Sequence, residues 1–398
     1  MRKLFLLLVI AALAAPVFGG GAQEEPDDEI TVSVPWAGDE MDHFIPVVEA
    51  FEEQHDAEVV LTTQRSEDLV QVLPAQFQAQ TSAADVIMMW EWWIAENGEH
   101  IMNKNDLWEQ YEDDMVAPAV RGDDGNVYGV TVSMNIKPGY FYRESFFEEH
   151  GLSEPDTYDE FVQLLDDIQQ IEGVDNAIGS GNGDGWPLTD IVEHFIINYG
   201  GPELQLDLIE GEVGWVGTEV EEVFRERIIP LLENDYFSDP IDFTEMAERW
   251  WDGEYGLYPI GSFITGLVDD PADLGVFTLP DQRAVVQGPD SFFVPEYADN
   301  PELAMEFVDF VLSEEGQRIR AEEGDRLVPH LGIPNEVYPE SIRPMAELVD
   351  DMETLVPDLD DEIGGDWQQT FWDQLRLLWV EPEALDDVLE TMDGLPVE

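Results

Sequence analysis

NVYGVTVSMNIKPGYFYRESFFEEHGL, residues 126–152, is the stretch on which the fold turns. It follows the turn-forming run Asp123-Asp124-Gly125 and opens as an alternating strand through Val127 and residues 129–132. Ser133-Met134-Asn135-Ile136-Lys137 then reads as a polar bend that interrupts the strand. Pro138 fixes φ and Gly139 permits a positive φ, so the chain changes direction there. Tyr140-Phe141-Tyr142 resumes it and leads into an amphipathic helix. Such an interrupted strand would serve a core badly and a crossing between two lobes well.

Upstream, the pattern alternates. Residues 30–35 read as a strand, 41–55 as a helix with Phe44, Val47, Val48 and Phe51 on one face, and 57–62 as a second strand. Ser66 opens a helix over 67–81 in the manner of a capping box, and the continuous apolar run 84–89 reads as a buried parallel strand. Strand, helix, strand, helix, strand is a βαβαβ unit, which makes the class α/β. Downstream, helices are expected over 158–171, 188–199, 218–234, 243–251, 345–355, 366–380 and 382–392. A long helix or a pair spans 300–323, 177–184 reads as a short strand with a glycine-rich loop, and strands fall at 256–260, 274–279 and 291–294.

The 398 residues, 44% of them hydrophobic, are enough for two domains with cores of their own. Against 16 Lys+Arg stand 90 Asp+Glu, a formal charge of −74. That excludes nucleic acid and disfavours an anionic membrane surface, since both require a basic face. The acids read as a solvated surface, in its specific form an adaptation to high salt, where self-repulsion is screened. There is no cysteine, hence no disulfide, thiolate site or lipid-anchor cysteine. Arg2-Lys3, a short apolar run and the small residues Gly19 to Ala22 read as a secretory signal over residues 1–21. Losing Arg2 and Lys3 would take the charge from −74 to −76.

Three blocks carry a family resemblance: VYGVTVSMNIKPGYFYRESFFEEHGLSEPDTYDEF, then GEYGLYPIGSF, then SFFVPEYADNPELAMEFVDFVLSEEGQ with GDRLVPH after it. In content and order they resemble the extracellular solute-binding proteins of sugar-importing ABC transporters, over nearly all of the chain beyond the signal. One departure is Arg143-Glu144, where the bend of the family usually ends in an Asn- or Lys-type pair. The resemblance implies two α/β lobes with a ligand between them and crossings near 133–137, 287–291 and 329–334. Residues 30–133 with 291–330 would form one lobe, and 134–290 with 331–398 the other.

Ligands of open α/β sheets lie beyond the carboxyl ends of the strands. Those ends carry Trp36, Asp39 and Glu40, then Arg65, then Trp90, Glu91 and Trp92. Aromatic plates with carboxylates and amides suit a sugar, which has apolar C–H faces and a hydroxyl rim. Trp36 can face the cleft or pack; of Trp90 and Trp92 at least one should face it, with Trp93 buried beneath. In the second lobe Trp186 follows a glycine-rich loop, and Ser262 and Phe263 end a strand. The resemblance implies a stacking role for Phe263. It also implies that Trp367 and Trp372 lie on a helix closing over the cleft, although aromatics at helical spacing are ordinary core. Asn135 and Lys137 sit in the bend, and a lysine kept in so lysine-poor a chain points to a bond with ligand or a hinge carbonyl.

These readings together describe a monomeric, exported, cofactor-free binder that delivers a sugar or oligosaccharide to permease subunits, in the periplasm or outside the cell. The alternatives are the same fold binding a peptide or polyamine, or a secreted glycan-cleaving enzyme with paired carboxylates. Nothing marks such a pair. The six His lack metal-ligand spacing, and Asn182-Gly183-Asp184-Gly185 lacks the later acid of a calcium loop.

Overall fold

The computed structural model describes residues 29–397 apart from Asn182, Asp184 and Asp325, so the expected signal segment lies outside the described residues. In the first half β1 (Glu29–Val34), β2 (Glu58–Thr63) and β3 (Val86–Met89) alternate with helices Ile45–His55 and Ser66–Gln78. There follow β4 (Val120–Arg121), β5 (Val127–Lys137), β6 (Gly139–Arg143) and β7 (Asn176–Ile178). The rest of the chain adds β8 (Tyr255–Ile260), β9 (Leu274–Phe277), β10 (Ala284–Phe293) and β11 (Thr354–Pro357).

Two sheets result. The first has the order β2-β1-β3-β10-β5-β4, with β11 added beside β10; the second is β7-β8-β6-β9. β1 pairs parallel with β2 and β3, as the alternation requires. Val86, Ile87, Met88 and Met89 are all buried, which is why β3 reads as an unbroken apolar run. Val47, Val48 and Phe51 turn inward from helix Ile45–His55, and join Val32, Val130, Phe292 and Phe307 in the first core. In the second lobe Thr157 caps helix Tyr158–Gln169 by accepting from the Glu160 amide. Its inward face, Phe161, Leu164, Leu165 and Ile168, packs on Tyr140, Ile178 and Leu257.

The polar run 133–137 is not a bend. β5 continues through Lys137 and pairs antiparallel with β10, Ser133 opposite Asp290 and Lys137 opposite Val286. The polar side chains are satisfied across the pair: Ser133 Oγ donates to Asp290 Oδ2 (2.6 Å) and Asn135 Nδ2 to Asp290 Oδ1 (3.2 Å). The irregularity falls on the partner strand instead, as a register shift between Asp290 and Ser291. β5 and β10 thus form one ribbon running between the lobes. The turn into β6 is where the sequence puts it. Gly139 has φ +141°, and a Cβ there would lie 2.4 Å from the Phe277 carbonyl oxygen.

Three further elements differ from the sequence reading. β10 begins at Ala284, ahead of the expected start, because β11 lies parallel beside residues 284–287. β11 itself occupies the end of the expected helix 345–355; that helix runs Arg343–Asp351. Helix Pro202–Ile209, unassigned in the sequence, starts on Pro202 as its first residue. The span 300–323 is a pair, Pro301–Leu312 and Glu314–Glu323, with Ser313 Oγ accepting from the Gly316 amide. Among the described residues no helix is long and apolar enough to cross a membrane.

Candidate functional site

A cavity of about 360 Å³ opens where the carboxyl ends of β1, β2 and β3 face the second lobe. Each strand delivers its lining residue just past its last hydrogen bond. Trp36 lies two residues beyond β1, Arg65 two beyond β2, and Trp90 directly after β3 as the cap of helix Glu91–Glu96. The second lobe supplies Trp186, Phe243, Phe263 and Trp372, and the ribbon supplies Asn135, Lys137, Pro289 and Asp290 to the floor. Asp358, Asp360 and Asp361 complete the floor.

The aromatic residues form two groups. Trp186, Phe243 and Phe263 meet edge to face, with centroids 5.1–6.1 Å apart. Across the cleft Trp90 meets Trp372 edge-on at 6.4 Å, a contact between lobes. Trp36 is buried at 2% exposure, its indole N–H without a partner. The guanidinium groups of Arg320 and Arg326 lie 4.9 and 5.2 Å from its ring. Arg326 was not singled out in the sequence, yet it ties the site together. Its Nε donates to Asp290 Oδ2 and its Nη2 to Glu40 Oε1, both at 2.9 Å. Its guanidinium also lies 5.9 Å from the Phe263 ring. Arg65 stands 6.0 Å from the Phe243 ring.

Nine of the fourteen expected residues therefore meet at this cavity: Trp36, Glu40, Arg65, Trp90, Asn135, Lys137, Trp186, Phe263 and Trp372. For Asp39 only the backbone is described, in helix Asp39–Asp42. Trp92 stacks behind Trp90 at 6.2 Å and lies against Gly364, where a Cβ would come within 2.4 Å of the indole. Trp93 is buried below. Ser262 is fully buried and its Oγ accepts from the Ile136 amide, which fixes the ribbon to the strand exit. Trp367 points into the second core, 4.9 Å from Phe371 and 6.0 Å from Trp215. Helical spacing made it core, as it commonly does.

Glu91 lines a second cavity of about 430 Å³, which shares Trp90, Pro289, Asp358 and Asp361 with the first. Its Oε1 accepts from Ser291 Oγ (2.7 Å) and Thr131 Oγ1 (3.1 Å). Burial, with a smaller push from the Glu362 charge, raises its pKa to about 7 against the pull of those two hydroxyls.

Lys137 answers to carboxylates rather than to a carbonyl. Its Nζ contacts Asp190 Oδ1 at 2.5 Å and also Asp358 Oδ2. Burial works against its charge, but Asp190, Asp358, Glu193 and Asp361 hold the ammonium well above the ordinary lysine range. Burial likewise opposes ionisation of Asp358, yet Lys137 keeps that carboxyl below its usual range. Asp190 rises to about 6, burial outweighing the attraction of Lys137. His194, pushed down to about 4 by burial, is a neutral donor to the Lys137 carbonyl oxygen at 2.8 Å. The acids at 358, 360 and 361 carry no periodic signal; only the need of a buried Lys137 for counter-charges could have pointed to them.

The arrangement offers flat apolar faces on both lobes and a floor of charged hydrogen-bonding groups between them. A profile of the bacterial extracellular solute-binding proteins matches residues 37–318. An uncharacterized ABC transporter extracellular-binding protein of Pyrococcus horikoshii is 44% identical over 403 residues, covering 97% of this chain and 95% of the relative. Among solved structures the bacterial solute receptor AcbH, described as exclusive for β-D-galactopyranose, aligns with a TM-score of 0.82 at 16% identity. That alignment covers 92% of this chain and 97% of AcbH. A chitin oligosaccharide binding protein aligns at 0.77 with 19% identity, over 92% of this chain and 98% of its own. These likenesses match the two-lobed fold. The family match and the long, 44% identical relative decide the assignment: this chain belongs to the bacterial extracellular solute-binding proteins, non-enzymatic receptors that present a small-molecule ligand to ABC transporter permeases.

Proposed function

We propose that the cleft binds a carbohydrate, a sugar or short oligosaccharide, for import. The observation that carries this is the pairing of aromatic walls from opposite lobes with a polar floor. Trp36 and Trp90 face Trp186, Phe263 and Trp372, and Asn135, Asp290, Arg326 and Asp358 lie at the bottom. A pyranose presents apolar faces to such walls and hydroxyls, donor and acceptor at once, to such a floor. The adjoining cavity past Trp90 supports a ligand of more than one ring. The galactose and chitin-oligosaccharide specificities of the two structural neighbours are of the same class.

Lobes of 30–133 with 291–330 and 134–290 with 331–398 would close over the ligand by flexing the ribbon near 133–137 and 287–291. Residues 1–21 would direct export, and the chain would act as a monomer in a saline medium, its acids a salt adaptation. The carboxylates of the floor favour one rival, a polyamine. Thermal unfolding and titration calorimetry against mono- and oligosaccharides, polyamines and short peptides separate these. A saccharide that raises the midpoint and binds stoichiometrically supports the reading; a response to polyamines alone overturns it.

A further inference from the structure

Behind the cleft floor, Glu193, Asp358 and Asp360 bring carboxylate oxygens within 4.8 Å of one another, all three side chains buried. Glu193 comes from helix Trp186–Phe195, Asp358 stands at the cap position of helix Leu359–Ile363, and Asp360 lies in its first turn. The donors around them are few. Glu193 accepts from the Leu359 amide (3.0 Å) and from Gln205 Nε2 (3.2 Å). Asp360 Oδ2 accepts from Trp372 Nε1 (2.6 Å) and Gln368 Nε2 (3.4 Å), and Asp358 Oδ2 takes Lys137.

What remains is a set of acceptors without donors. Asp358 Oδ1 and Asp360 Oδ1 are buried and have no donor, while the Gln205 nitrogen is already spent on Glu193. Buried oxygen lone pairs are left unmet only at a cost of kilocalories, more so for ionised carboxylates. The charge points the same way: Asp190, Glu193, Asp358 and Asp360 are at most 1% exposed, and of these Lys137 pairs with Asp190 and Asp358 only.

We infer that Glu193, Asp358 and Asp360 bind a hard divalent cation of the calcium type beneath the ligand cleft. All the donors are oxygen, the set that hard cations take, and calcium accepts irregular coordination where magnesium demands a near-octahedral shell. The ion would brace the floor from below. Asp360 receives the indole of Trp372, and Asp358 receives the ammonium of Lys137, two groups that line the cleft. The inference holds whichever solute the cleft takes.

The full-length chain, treated with chelator and exchanged into about 0.5 M potassium chloride to screen its surface carboxylates, is titrated with calcium chloride. Flow dialysis and thermal unfolding are the readouts. One saturable calcium per chain is expected, with the unfolding midpoint raised by several degrees and a weaker response to magnesium. Glu193→Gln and Asp360→Asn should each lose that ion while keeping the far-ultraviolet circular dichroism of the parent. Should both variants fail to fold, the parent decides alone. A midpoint unmoved by chelation and by calcium, or calcium uptake equal in parent and folded variants, overturns the site and leaves shared protons holding the carboxyl cluster together.

Discussion

Trp90 and Phe263 test the cleft from both sides, because each lines it from a different lobe. Replacing either by alanine is expected to weaken ligand binding about tenfold or more, through lost stacking and buried area, with the fold retained. Calorimetry on the folded variants checks this, and unchanged affinity in both would move the site elsewhere. Trp367→Ala is the contrasting case. It is expected to cost about 3–5 kcal/mol of stability by opening a core cavity, seen as a lower urea midpoint, because Trp367 packs on Phe371 and Trp215. Glu91 gives a pH signature. Its folded pKa of about 7 lies above the ordinary carboxylate value, so between about pH 4.5 and 7 the folded state holds a proton that the unfolded chain has lost. Its contribution is fully present below that window and lost as pH rises through it. Relative to Glu91→Gln, the parent should therefore lose stability on the order of 3 kcal/mol across the window. Paired urea melts at both ends would reveal it; a constant difference between the two proteins would contradict the assignment.

At the scale of elements, the βαβαβ start and the ring positions past β1 and β3 were legible because their signals are local. Alternation of Val and Ile and the residue after a strand can be read along the chain. The expected cap Ser66 is instead the first residue of helix Ser66–Gln78, whose cap position is Arg65, with no side-chain capping bond. The ribbon was not. Ser133 and Asn135 look like loop residues until Asp290, far along the sequence, supplies their partner. β11 and Arg326 were invisible for the same reason, since parallel pairing and a guanidinium held by Glu40 and Asp290 are long-range facts. Gly139 was legible as a turn, and the structure adds why nothing larger fits. A Cβ would strike the carbonyl of Phe277 on β9. Gly139→Ala is expected to destabilise the chain by about 1–3 kcal/mol, from backbone strain at positive φ plus that clash. A urea midpoint equal to the parent's would show that the ribbon relaxes around it.

Two lobes joined by a ribbon imply closure on binding. Small-angle scattering at saturating ligand should register a smaller radius of gyration, and an unchanged value would argue against hinge motion. Salt probes the same molecule from outside. With 90 acids against 16 bases, repulsion in dilute buffer acts over tens of ångströms and at molar salt over about 3 Å. The unfolding midpoint should rise steeply from roughly 0.01 M to 1 M potassium chloride; a flat or falling midpoint would remove the salt-adaptation reading without touching transport. The position of Arg326 bears on how such a receptor can change its diet. The guanidinium is bound to Glu40 and Asp290 and lies beside Trp36 and Phe263, so altering it disturbs both lobes at once. Trp90 and Trp186 stand on separate elements and their side chains are held by ring contacts, Trp90 by Trp92 and Trp372 and Trp186 by Phe243 and Phe263. New ligands are thus open to this lineage by exchange of single rings, one substitution at a time, over a polar frame that stays constant.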